Sequence, residues 1–408
     1  MGGAALNGER PKILLLGFTI PEPAAAALDV EAVAPQTQNF ANALTDALQF
    51  GGADVTLLSA LPVLDFPHGP LFVGRHDFQR FQPKSAGETI PFVNLMGLKH
   101  ATRFVSCLIQ GVRLLGRSPN SRVLVHGIHS PFLLAAVLMR RMTAGIFVVL
   151  TDPPTVILAS DGPLRRFAKR VDGRIIRRLT RQFDGAISLT DDLARTLQVR
   201  SHITTEGIVN LRRVPSEAPP RATNSVFTIA YAGGLSQDYG VTNLLSAVQS
   251  FTSDETHLLI CGSGPLEPHL QELFDPRISF LGTLDASAVQ PVLLSADALV
   301  NPRPVEELAH LSFPSKLIEY MASGRPVIST ALPTLSRGYS DHLVLTQGSS
   351  AEDLRRAIDE VRTWTPEART RFGRAAREFI LAQNGPETQG HRIAQYLQDP
   401  VGVRDPAG

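Results

Sequence analysis

The sequence predicts an α/β protein built from two doubly wound domains. Short apolar runs alternate with helix-period segments along the whole chain, and the pattern occurs on each side of a proline-rich break. The length of 408 residues also suits two domains of about 200 residues better than one.

In the front half the expected strands are Lys12–Gly17, Asp54–Leu58, Arg122–His126, Phe147–Leu150 and Gly185–Leu189. In the back half they are Thr228–Ala232, His257–Cys261, Ile278–Leu281, Ala298–Asn301 and Pro326–Ser329. Continuous apolar runs of this length read as parallel strands covered on both faces by crossover helices. The stretch Val214–Ser225 holds three prolines and no apolar periodicity, so it reads as a linker. The expected layout is a first domain over 1–213, the linker 214–225, a second domain over 226–385, and a closing helix and tail over 386–408. Ligands of open α/β sheets bind beyond the carboxyl ends of the strands, so a cleft between two such sheets is the expected site.

Composition narrows the class. The formal charge is only +1, which argues against a nucleic-acid binder. The total hides an asymmetry, with 22 Lys+Arg against 16 Asp+Glu in residues 1–210 and 17 against 22 in the remainder. Cys107 and Cys261 sit in apolar stretches without metal-ligand spacing and read as reduced core residues, which fits a cytoplasmic compartment. The apolar run Ile13–Phe18 is too short for a signal peptide, and Phe132–Leu150 is broken by Arg140 and Arg141, so no membrane span is expected.

Three back-half motifs carry chemistry. Tyr231–Gly240 follows a strand and contains Gly233 and Gly234, which make a tight turn or let a ligand approach the main chain. Cys261-Gly-Ser-Gly-Pro265 ends the next strand, and Gly262 and Gly264 carry the same two readings. Asn301-Pro-Arg-Pro304 ends a further strand and is followed by the segment Ser312–Ile328. There Ser312 is expected to cap a helix, with Phe313 and Pro314 leading into its first turn and Gly324 ending it. Amides near Ser315 and Lys316 would face an anion, with Lys316 adding charge. Glu319 lies close to one turn on, where a carboxylate can accept both hydroxyls of a ribose. An exposed Lys316–Glu319 ion pair on an ordinary helix is the plain alternative, worth a few tenths of a kcal/mol.

The stretch Asn301–Ile328 resembles the donor-site signature of retaining glycosyltransferases of family four, and is most similar to the capsule and exopolysaccharide branch. Leu189-Thr190, Glu206–Asn210, Tyr231–Tyr239, Ile260–Gly264, Arg277–Gly282, Asn384-Gly385 and Gln389 extend the resemblance. It implies the GT-B fold, with two Rossmann-like domains facing a central cleft. It also implies a nucleoside-diphosphate sugar, linked to UDP, as donor, with no cofactor and no metal. Donor contacts then fall to Gly17, Gly233, Gly234, Gly262, Gly264, Arg303, Phe313, Pro314, Ser315, Lys316 and Glu319. Two departures stand out. Many members carry a glutamate eight residues before the ribose-binding one, and here that position is Leu311. Many also place a basic pair after the glycines, and here those neighbours are Leu235 and Tyr239. Arg303 and Lys316 are the cations expected to replace the pair.

In the front half, Asn39 begins a helix that it caps, or it faces the cleft. His126 and His129 end the strand Arg122–His126, and Asp152 follows the next strand; each either meets an acceptor or plays a structural part. Asn39 and His126 are assigned to the acceptor side, and His129, Asp152 and Lys316 to catalysis. The segment Leu164–Phe183 carries eight basic residues against Asp172, with Leu164, Ala168, Val171, Ile175 and Leu179 at helical spacing. It reads as an amphipathic helix. Either its basic face meets an anionic membrane surface, or its apolar stripe packs inward and the basic face is solvated. The function expected is hexose transfer to a glycan or lipid-linked acceptor in polysaccharide synthesis, by a protein resting on the inner face of the membrane. The alternatives are a non-catalytic nucleotide-sugar binder, a transferase acting on a small soluble product, and a nucleotide-sugar epimerase.

Overall fold

The protein is described from a computed structural model over residues 10–28, 35–80, 86–116, 120–153, 162–215, 226–252, 255–305, 309–335 and 337–402. It divides into two compact units, Met1–Ile208 with Pro386–Gly408, and Val209–Gly385.

The first unit runs β1 (Lys12–Gly17), α1 (Glu22–Ala27), α2 (Pro35–Phe50), β2 (Asp54–Ala60), β3 (Phe72–Val73), β4 (Ala86–Ile90), β5 (Phe92–Val93), α3 (Leu98–Leu115), β6 (Arg122–His126), α4 (Ser130–Met139), β7 (Gly145–Leu150), α5 (Pro163–Thr180), β8 (Gly185–Ser188), α6 (Asp191–Leu197) and β9 (His202–Thr204). Seven strands form one parallel sheet in the order β4-β2-β1-β6-β7-β8-β9, and β3 and β5 make a separate antiparallel pair. The central strands are continuous apolar runs, such as Ile13–Leu16 and Ile146–Leu150, buried on both faces.

The second unit runs β10 (Phe227–Ala232), α7 (Val241–Gln249), β11 (Thr256–Cys261), α8 (Glu267–Glu272), β12 (Ile278–Phe280), α9 (Ala286–Ser295), β13 (Ala298–Asn301), α10 (Ser315–Ala322), β14 (Val327–Thr330), β15 (Val344–Thr346), α11 (Ala351–Thr363) and α12 (Pro366–Asn384). Its six strands are all parallel, in the order β12-β11-β10-β13-β14-β15. Ile229, Leu258, Val300 and Ile328 on the sheet pack with Leu244, Leu354 and Ile358 from its helices.

The chain then returns to the first unit as α13 (Pro386–Gln398). Tyr396 accepts from the Ala186 amide at 3.0 Å, and Arg122 Nε donates to the Leu397 carbonyl at 2.8 Å. A Cβ at Gly51 would lie 2.4 Å from the Gly390 carbonyl oxygen, so α2 and α13 approach at glycines. Most of the expected linker, residues 216–225, lies outside the described residues. Both cysteines are free and buried.

The basic segment forms α5, but the packing of its faces departs from the expected one. Leu164 and Ile175 are exposed, Val171 is half-buried, and the helix packs through Gly173, Ile176, Leu179 and Thr180. Of the expected packing stripe only Leu179 is buried. No helix among the described residues is long and apolar enough to cross a membrane.

Candidate active site

Each sheet has one point at which successive connections leave in opposite directions, between β1 and β6 in the first unit and between β10 and β13 in the second. Loops part there and leave a crevice at the carboxyl ends of the strands. Gly17 and His126 lie at the first of these points and Gly233, Gly234 and Arg303 at the second, whereas Asp152 follows β7, one strand further along the sheet.

In the first unit, Gly17 ends β1 and His126 ends β6. A Cβ at Gly17 would lie 3.0 Å from the His126 carbonyl oxygen, so a side chain there would press on that strand end. His126 is buried, and burial pushes its imidazole down to about 4. His129 occupies the N-cap position of α4 without a side-chain capping bond. Burial first, then the charges of Arg103, His100 and Lys99, push it down to about 3. Both imidazoles are therefore neutral at neutral pH, and neither Nε2 has a hydrogen-bond partner among the described residues. The rings of Phe18, Phe132 and His100 surround His129 at 5.1, 5.4 and 5.3 Å.

The sequence reading missed Arg103. Its guanidinium lies 4.2 Å from the Phe92 ring centre and 5.4 Å from that of Phe18, and burial lowers its pKa. It shares the buried register of α3 with Cys107, Gly111 and Leu115, so an arginine in an apolar helical position was the available signal. Gln38 was also missed. It accepts from the Ile20 amide at 3.0 Å and donates to the Phe18 carbonyl, fixing the loop after β1.

Asn39 is the fifth residue of α2, so it does not cap that helix. It is buried, and its neighbour Phe40 places its ring 5.7 Å from that of His126. Asp152 follows β7, is exposed, and accepts from Thr151 Oγ1 at 2.8 Å; Pro154 lies outside the described residues.

In the second unit the glycine loops interlock. The Gly233 amide donates to the Cys261 carbonyl and the Leu235 amide to that of Ser263, both at 2.9 Å. Gly262 has φ +137°, and a Cβ there would lie 1.8 Å from the Gly233 carbonyl oxygen, so only glycine fits. Gly240, at φ +76°, meets the Pro302 carbonyl in the same way, which seats the loop after β10 on the loop after β13. A Cβ at Gly264 would strike Leu235, and one at Gly234 the Tyr239 ring. These glycines are structural requirements of the turns.

Lys316 lies on the first turn of α10 and donates through Nζ to the Ala232 carbonyl, and Gly233 abuts the same ammonium. Tyr320, one turn on, donates to the same carbonyl at 3.1 Å. Burial pushes Lys316 down to about 8, opposed by the Glu319 carboxylate. Glu319 is half-buried on the next turn.

The cap of α10 corrects the sequence reading. Pro314 stands at the N-cap, and Ser312 instead accepts from Arg303 at 3.3 Å. The amides of Ser315 and Lys316 then fall in the first turn, where a helix offers no carbonyl to them. Gly324, at φ +78°, ends the helix as expected. The Phe313 ring is buried against Tyr339 at 6.1 Å, and Pro314 is buried too, so neither side chain presents itself to a ligand.

Leu311 and Leu235, the two positions at which the resembling family carries charges, are both buried. Arg303 stands 5.9 Å from the centre of the Tyr239 ring, the other replaced position. The cation beside the Tyr239 ring thus comes from the loop after β13 and not from the loop after β10.

Two parallel, doubly wound units with crevices at their switch points are the parts of a GT-B fold, and the comparisons with known proteins place the chain in that class. Residues 226–363 match the family described as "Glycosyl transferases group 1", so the second unit carries a glycosyltransferase domain. Solved structures agree on the fold. A sucrose-phosphate synthase from Thermosynechococcus elongatus superposes with a TM-score of 0.67 at 18% identity, covering 95% of this chain and 98% of that one. HepE of Anabaena, in complex with UDP, gives 0.58 at 13% identity, with 95% and 99% covered. TarM of S. aureus, a G117R mutant bound to fondaparinux, α-GlcNAc-glycerol and UDP, gives 0.54 at 13%, with 82% and 66% covered. Among curated protein sequences none matches.

Proposed function

We propose that this chain is a retaining glycosyltransferase. It moves a hexose from a UDP-linked sugar to a hydroxyl of a glycan or lipid-linked acceptor, in polysaccharide synthesis at the cytoplasmic face of a membrane. The observation that carries the donor assignment is Lys316. Its ammonium is drawn into the glycine loop after β10, beside the first-turn amides of α10 and within electrostatic reach of Glu319. Holding that charge out of water is unfavourable, and an incoming diphosphate would offset the cost. Support comes from HepE, also solved with UDP-glucose, and from TarM, solved with UDP.

In this reading Glu319 accepts the ribose hydroxyls. Lys316, Arg303 and the α10 amides hold the diphosphate as it departs, with no metal or cofactor required. The anomeric carbon breaks its bond to the diphosphate oxygen and bonds to the acceptor oxygen on the same face. The departing phosphate oxygen takes the acceptor's proton. His129, with its basicity lowered to about 3, is suited to hydrogen bonding rather than to holding that proton. His126, Asn39 and Asp152 complete the acceptor side.

Purified protein incubated with a panel of nucleotide sugars and extracted lipid-linked acceptors should release UDP, and Glu319→Ala should lower the release about 100-fold or more. Wild-type turnover by that variant would remove Glu319 from the site. The buried Leu311, where the family glutamate is missing, favours one alternative, a nucleotide-sugar binder without catalysis. Tight UDP binding with no turnover on any acceptor, soluble products included, would establish it.

A further inference from the structure

The outer face of the first unit is apolar where a water-facing surface is ordinarily polar. Along α3, Leu98, Val105, Ile109 and Val112 recur on one side of the helix and all are exposed, Ile109 by 65%. The next helix, α4, is apolar all round, which ordinarily marks a covered helix, yet Leu134 and Leu138 are exposed, Leu138 by 54%. On α5, Leu164 and Phe167 are exposed by 81% and 62%, and Ile175 continues the same stripe. The three helices are neighbours. α4 packs against both others, and Met139 of α4 reaches Gly111 of α3. The stripes therefore form one platform, larger than scattered surface apolar residues would make.

Charge selects the occupant. The three helices carry ten basic residues and one acid, Asp172, which accepts from Ser130. No acidic residue occurs between Glu88 and Asp152. On α5, Arg170, Arg174 and Arg178 line the edge of the apolar stripe, all exposed. A second copy would bring two such basic faces together, which is unfavourable. An apolar centre with an arginine rim matches the boundary between lipid headgroups and acyl chains.

We propose that α3, α4 and α5 together form a docking platform that inserts into an anionic phospholipid bilayer. It deepens the reading of a lipid-linked acceptor, because α3 also carries His100 and Arg103 and His129 stands at the N-cap of α4. It stands on surface chemistry alone, however, and is tested without any sugar.

The test is flotation with vesicles of phosphatidylcholine alone or mixed with phosphatidylglycerol. The protein should float with the mixed vesicles. Salt should weaken binding without abolishing it, since screening acts on the arginine rim and not on buried apolar surface. Replacing Ile109, Leu138 or Phe167 by serine should weaken partition about tenfold each. Arg174→Glu with Arg178→Glu should remove the salt-sensitive part. All these variants should bind UDP as the wild type does, which separates this test from the donor assignment and shows that they fold. Failure of the wild type to float with mixed vesicles at low salt would overturn the proposal. So would a solution dimer that Ile109→Asp converts to monomer, which gives the face to a second copy. Equal binding to soluble polyglutamate, unaffected by the serine variants, would give it to an acidic protein.

Discussion

The two switch points share a topology and differ in chemistry. The one between β1 and β6 is walled by the rings of Phe18, Phe40 and Phe132, and its two imidazoles are held neutral by burial. The one between β10 and β13 holds an ammonium against a main-chain carbonyl and places an arginine beside a tyrosine ring. A hydroxyl needs neutral hydrogen-bonding groups, whereas a departing diphosphate needs fixed positive charge. On the function proposed above, the difference lets one fold, used twice, serve both partners of a transfer through a few side chains at the strand ends.

The largest effect expected falls on the charged side. Lys316→Ala and Glu319→Ala should each lower turnover about 100-fold or more, measured as UDP released. His129→Ala should lower turnover by about tenfold to 100-fold while leaving donor affinity unchanged, because it touches only the neutral side. A lost donor affinity in that variant would break the division.

A smaller effect sharpens the contrast through pH. With Lys316 pushed down to about 8, its charge in the free protein is lost as pH rises through that value. Nucleotide affinity should fall above pH about 8 in the wild type but not in Lys316→Arg, whose guanidinium stays charged. The neutral side has the opposite signature. Both imidazoles have folded-state values below their ordinary 6.5, so the unfolded chain takes up protons first. Stability should therefore decline as pH falls below 6.5 toward about 4 for His126 and about 3 for His129. Thermal melts across that range should show a shallower decline in His129→Gln.

Much of this was legible in the sequence. β1, β6 and β13 were read to the residue, because continuous apolar runs bounded by glycine, proline or a polar residue mark buried parallel strands. β4, β9 and β15 were missed, since Ala86–Ile90, His202–Thr204 and Val344–Thr346 are short or polar and lie at or next to sheet edges. The pairing of Lys316 with the glycine loop was not readable, because it joins residues 84 positions apart. Nor could the sequence say which face of α5 packs inward. Amphipathic spacing names an apolar stripe, but Gly173 and Ile176 make the other face the closer fit. Ser312 was misread as a cap because its partner, Arg303, lies across a loop.

The division of labour is tested most directly by calorimetric titration of UDP into three proteins, the wild type, Lys316→Ala and His129→Ala. The account predicts that the wild type and His129→Ala bind alike, and that Lys316→Ala binds about tenfold or more weakly. Equal affinity in all three, or a loss confined to His129→Ala, would contradict it.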